Sequence, residues 1–194
     1  LQNRISRRQN YATINKSMLY KLNPPDLYRF FCLSLYRNDY YYARLRIEDI
    51  AKITREKEGA LQDFNSNVDK VLTRKKYPAP INHPVYDFTM RSLYCIPPIE
   101  YPDFITLSHL FTRLDLSVKA KGYYIKLLLI AENNRVLLTP NKIASKLEMG
   151  KRAIEDYNID LYNGGLLKYL SKGLELIPNE LLLDNDIAVQ CRER

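Results

Sequence analysis

The chain has 194 residues and carries 30 Lys/Arg against 22 Asp/Glu, a net charge of +8, which points to an acidic partner such as nucleic acid. Hydrophobic residues make up 46% and aromatics 11%, enough to build packed cores, so wholesale disorder is excluded. No apolar run approaches the roughly 20 residues that span a bilayer, and no membrane partner is expected.

The excess charge is uneven: residues 1–97 hold 17 Lys/Arg against 9 Asp/Glu, and residues 98–194 hold 13 of each. The opening "LQNRISRRQN" has no apolar stretch after its charges and does not read as a secretory leader. Arg4, Arg7 and Arg8 instead form a basic arm able to enter a minor groove. "YATINK" at Tyr11 reads as a short strand, and Asn23 followed by Pro24 starts a helix carrying Leu27, Phe30, Phe31 and Leu35. Tyr40 to Tyr42 read as a packed loop, not as a nucleophile. A second helix is expected from Ile47 to about Thr54, and Ala60, Leu61, Phe64, Val68 and Val71 give the buried stripe of a third. Arg55, Lys57 and Gln62 are its outward candidates, with Glu56, Glu58 and Asp63 among them. Arg74, Lys75 and Lys76 precede a proline-broken loop to Pro84, and the segment ending at Ile96 returns as a strand. "IPPIEYP", Ile96 to Pro102, reads as a linker.

The second half is cleaner. A strand at Phe104 precedes Ser117, a good N-cap for a helix through about Ala131. Thr139-Pro140 starts a second helix with Ile143, Ala144 and Leu147 on one face. Glu148-Met149-Gly150 is a turn, and a third helix buries Ala153, Ile154, Tyr157 and Leu161 while presenting Lys151, Arg152, Glu155 and Asn158 outward. Gly164-Gly165 stops it, and two apolar runs joined by Ser171-Lys172-Gly173 make a hairpin, the wing of a winged helix. "IAKITREKEGALQDFN" from Ile50 and "IASKLEMGKRAIEDYN" from Ile143 spell one pattern twice at an offset of 93. The expected fold is therefore mainly α with small β-hairpins (α+β), in two tandem winged helix-turn-helix domains: 1–97 with the basic arm, and 98–194 with a C-terminal tail.

The stretch from Phe104 to Leu167, with Leu116, Ser117, Lys119, Ala120, Lys121 and Gly122 at the start of its first helix, resembles the winged-helix module of phage replisome organisers and plasmid replication initiators. The first half fits only as a degenerate copy, with Pro24-Pro25 in place of the Ser-x-Lys start. The resemblance implies paired winged helices on repeated DNA sites.

The chemistry of a winged helix places its third helix in the major groove and basic flanks on phosphates. The expected contacts to double-stranded DNA are Arg4, Arg7, Arg8, Arg55, Lys57, Gln62, Arg74, Lys75, Lys76, Lys151, Arg152, Asn158 and Lys172. Cys32, Cys95 and Cys191 have no paired spacing and read as reduced thiols of a cytoplasmic, nucleoid-associated protein. His83 and His109 are isolated, no phosphate-cradling Gly loop appears, and no catalytic residue, metal or cofactor is expected. The expected role is replication initiation or transcription regulation in a mobile element. The rival is an interaction scaffold for segregation or assembly whose net-neutral second half dimerises or binds a replication or regulatory protein.

Overall fold

The computed structural model describes residues 8–76 and 92–183. They form an α+β structure of short helices and small antiparallel sheets. Among them, no helix is long and apolar enough to cross a membrane.

Each half opens with a strand, β1 (Tyr11–Asn15) or β5 (Phe104–Ser108), followed by a 3-10 turn. In the first half come α1 (Pro24–Ser34), β2 (Tyr42–Leu45), α2 (Ile47–Thr54), α3 (Phe64–Val68), β3 (Thr73–Lys76) and β4 (Ser92–Cys95). The second half has α4 (Val118–Ile130), β6 (Arg135–Val136), α5 (Pro140–Leu147), α6 (Lys151–Asn163), β7 (Leu167–Leu170), β8 (Gly173–Leu176) and a closing β9 (Leu182–Leu183). Two of the three three-stranded sheets have equivalent orders, β2-β4-β3 and β6-β8-β7, and the third is β1-β5-β9.

Local chemistry starts these helices where the sequence places them. The Asn23 side chain accepts from the Asp26 N–H at 2.9 Å ahead of Pro24, and Ser117 and Thr139 cap α4 and α5 in the same way. The third helix of the first half departs from expectation. In place of one stripe from Ala60 to Val71, a 3-10 turn over Glu58–Leu61 leads into the five-residue α3, and Ala60 is exposed. The run Asn65-Ser66-Asn67 explains the short helix: such side chains compete for the backbone, as Ser66 Oγ does by donating to the Asp63 carbonyl at 2.9 Å.

The two halves are joined about a local two-fold axis. β1 pairs antiparallel with β5 in the register Tyr11↔Ser108 through Asn15↔Phe104, and Thr13 faces Thr106, its own counterpart in the repeat, with hydroxyls 3.1 Å apart. Exchanging the halves maps this register onto itself, which is the mark of a two-fold axis through the threonine pair. Helix α1 packs on α4 beneath the shared sheet, where Phe31, Phe111 and Tyr124 bring their rings together at 5.6 and 5.9 Å. The buried side chains form one cluster running through both halves.

The segment expected as a linker is bolted down. Asn15 Nδ2 donates to the Pro98 carbonyl at 2.8 Å, the Glu100 N–H returns to Asn15 Oδ1, and Ile96 is buried.

Candidate nucleic-acid interface

Both halves turn between their second and third helices by the same device. Arg55 after α2 (φ 60°) and Glu148 after α5 (φ 54°) occupy equivalent positions in the left-handed region. The N–H groups of Glu56 and Met149 then return to Ala51 and Ala144, each at 2.9 Å. This fixes where the third helix begins and which side chains stand at its N-terminal end.

In the second half those side chains are Lys151 and Arg152, both exposed. Lys151 reaches Glu155 one turn on at 3.7 Å, while Arg152 has no ion pair or hydrogen bond among the described residues. Gly150 caps α6 without a side-chain bond, so the positive end of the helix dipole adds to the two cations. Two further cations belong with them. Lys142 and Lys146 lie one turn apart on α5, exposed and likewise without partners among the described residues, on the side away from Ile143 and Leu147. Sequence reasoning passed over them, although their four-residue spacing beside a buried pair was the available signal. Lys172 is exposed at the tip of the β7–β8 hairpin.

In the first half Arg55, Lys57 and Gln62 are exposed around the turn. Glu56, counted above among the outward carboxylates, instead faces inward: its carboxylate takes Arg29 Nη2 at 2.6 Å and Nε at 2.9 Å. Arg29 also binds Asp26 at 2.8 Å, and Asn67 donates to the other Asp26 oxygen at 2.8 Å. Glu58 and Asp63 remain exposed. On β3 Arg74 is held in a two-bond pairing with Asp69 at 3.1 and 2.9 Å, which neutralises part of its charge, whereas Lys75 is exposed and has no ion pair among the described residues. Lys76 ends β3, and its side chain lies outside the described set. Arg8 is exposed at the edge of the described chain, and Arg4 and Arg7 lie outside it, as does the loop to Pro84.

Asn158 is a correction. It is 2% exposed, and its Oδ1 accepts from the Tyr123 hydroxyl at 2.8 Å. Its counterpart in the repeat, Asn65, accepts from the Tyr94 hydroxyl at 2.9 Å. The asparagine shared by both copies therefore satisfies a tyrosine hydroxyl and joins the third helix to its core.

Two other cations are interior. Lys126 donates from Nζ to the Leu19 carbonyl in the opposite half at 2.6 Å, and Lys121 donates to the Thr112 carbonyl at 3.2 Å with its ammonium 5.2 Å from the Tyr28 ring centre. Burial lowers the pKa of both. Burial also pushes the Cys32 thiol up to about 12, so it is an inert core group. Among the described residues no three His, Cys, Asp or Glu side chains converge as a metal site. Comparison with protein families, curated proteins and solved structures finds no match to this chain.

Proposed function

We propose that the chain binds double-stranded DNA through two tandem winged-helix units, as a replication initiator or organiser, or as a regulatory factor. The observation that carries the reading is the exposed cationic group Lys142, Lys146, Lys151 and Arg152, set on the second helix and at the start of the third. Each half also has the helix, strand, helix, turn, helix and hairpin order that puts a third helix into a major groove. Arg55, Lys57 and Lys75 add positive field from the first half.

The two-fold relation through Thr13 and Thr106 deepens this reading. Extended from this register to the whole of each half, it would present α3 and α6 as a dimer presents its two recognition helices, so one chain would meet two half-sites in inverted orientation. The half-sites would be unlike, because α3 has 5 residues and α6 has 13. The better-formed α6 would supply selectivity, and the more basic first half nonspecific affinity.

The test is fluorescence anisotropy of the full chain on a random duplex pool and on a site selected from it, across salt. With Arg152 on a base, phosphate contacts from Lys142, Lys146, Lys151, Arg55, Lys57 and Lys75 predict a slope of log K against log salt of about −5 to −6. Arg152→Ala should remove about 1–3 kcal/mol of preference for the selected site if the guanidinium reads a base. Absence of salt-dependent binding to any duplex would overturn the proposal.

A further inference from the structure

The later turns of α6 carry a surface unlike its N-terminal end. Ile159 and Tyr162 are 52% and 54% exposed, and Tyr169 on β7 is 53% exposed. The Tyr162 and Tyr169 rings lie 5.5 Å apart. The internal repeat supplies a control. The positions 93 residues earlier are Ser66, Asp69 and Lys76, so the other copy of the repeat is polar at all three. Three apolar side chains concentrated on one outer face mark an interaction site more than scattered surface hydrophobics do.

Charge narrows the occupant. Asp156 and Asp160 stand one turn apart beside Ile159, both exposed and with carboxylates that make no ion pair or hydrogen bond among the described residues. Glu155 adds a third carboxylate, shared with Lys151. Unpaired carboxylates repel a phosphate backbone and attract cations, so this stretch fits a different partner from the cationic start of the same helix.

We propose that the C-terminal turns of α6, with β7, dock a cationic amphipathic segment of another protein. Its apolar side chains would cover Ile159, Tyr162 and Tyr169, and its Lys or Arg would meet Asp156 and Asp160. An aromatic anchor with a charged rim is the usual anatomy of such a surface. The inference stands apart from the DNA reading.

The probes are three labelled peptides of about 18 residues, five helical turns: a Leu stripe flanked by Lys, the same composition scrambled, and the stripe flanked by Glu. The full chain carries net charge +8, so a cationic peptide binds only where local carboxylates and apolar surface overcome general repulsion. The striped Lys peptide should bind about tenfold or more tighter than the other two. Ile159→Ser/Tyr162→Ser should lose that advantage. Asp156→Asn/Asp160→Asn should weaken it severalfold at low salt and little at high salt. Unchanged melting temperatures would show that the variants fold, as expected for exposed positions. Equal binding of the scrambled peptide, or unchanged affinity in Ile159→Ser/Tyr162→Ser, would overturn the proposal. So would a variant that leaves the peptide bound but weakens duplex DNA, since the face would then belong to the DNA surface. Loss of DNA binding by Lys142→Ala/Lys146→Ala with the peptide still bound would separate the two surfaces.

Discussion

At Gly122 the backbone of α4 lies close against the start of α1, and Gly122→Ala tests whether the two halves are one packed unit. A Cβ placed there would lie 2.8 Å from Pro24 Cα and nearer still to the Pro24 carbonyl carbon and oxygen. Carbon atoms rest at about 3.5–4.0 Å, and backbone on both sides cannot rotate away. The helices would therefore separate by about 1 Å or more, enough to stretch the 2.6 Å bond from Lys126 to the Leu19 carbonyl. Overpacking against movable side chains costs about 1–3 kcal/mol; against backbone we expect about 3–5 kcal/mol, near the upper end of single substitutions. Replacing a helix-interior glycine returns about 1 kcal/mol of propensity. The net loss of about 2–4 kcal/mol corresponds to a fall in melting temperature of about 5–15 °C for a chain this size. Thermal unfolding followed by circular dichroism measures it, with Gly59→Ala as the control because nothing lies within 4 Å of a Cβ at Gly59. A Gly122→Ala melting point within about 2 °C of wild type would refute the close packing of α1 on α4.

Arg29→Met leaves the buried Asp26 and the half-buried Glu56 carboxylates without their cation and should cost about 3–5 kcal/mol in urea unfolding at neutral pH; a loss under about 1 kcal/mol would mean that the pairs contribute little. Asn158→Ala strands the Tyr123 hydroxyl and should cost about 1–3 kcal/mol of stability with little change in duplex affinity; the opposite pattern in paired melting and binding measurements would restore Asn158 to the interface. Stability should be complete below about pH 9 and fall as pH rises toward about 12. The folded state there retains protons that the unfolded chain releases: burial raises Cys32 and Tyr94 to about 12 and also raises Tyr28, Tyr123 and Tyr124, whereas Lys121 and Lys126, lowered by burial, act in the opposite direction and are fewer. A late step in phenolate absorbance should coincide with loss of helical circular dichroism, and ionisation of all tyrosines with the helices intact would contradict it.

What was legible in the sequence is what short-range chemistry decides. Asn23-Pro24, Ser117 and Thr139-Pro140 mark helix starts because the cap and its target N–H are three residues apart or fewer. The turns after α2 and α5 and the β7–β8 hairpin are equally local. The misreadings come from partners distant in sequence. Asn158 looks outward on a helical wheel, but its donor Tyr123 is on α4, 35 residues away. Glu56 looks like a liability to DNA binding until Arg29, 27 residues earlier, turns it inward. Both entry strands were visible as a repeat, yet nothing local says that they pair with each other. Four polar or acidic residues from Asp63 to Asn67, interrupted only by Phe64, were a readable warning that the third helix of the first half would be short.

A two-fold interface made by identical chains must repeat every contact on both sides of the axis, and this one does not. Lys126 ties α4 to the Leu19 carbonyl across the axis, but the position equivalent to Lys126 in the first half is Leu33, which has no donor to return. Arg29, centre of the ion-pair network with Asp26 and Glu56, corresponds to Gly122, which lies against the Pro24 backbone. Two copies of the second half would carry the lysine on both sides of the axis, and two copies of the first half the arginine. Covalent linkage removes that requirement, because each half meets only the other. The consequence reaches the surface. With the shared sheet holding both halves in fixed relation, α3 can shorten and lean on buried charge while α6 keeps a full length, with cations at one end and carboxylates around an apolar patch at the other. The asymmetry of the core thus permits two unlike third helices on one symmetric frame, the arrangement needed if one chain is to hold DNA and a protein partner together.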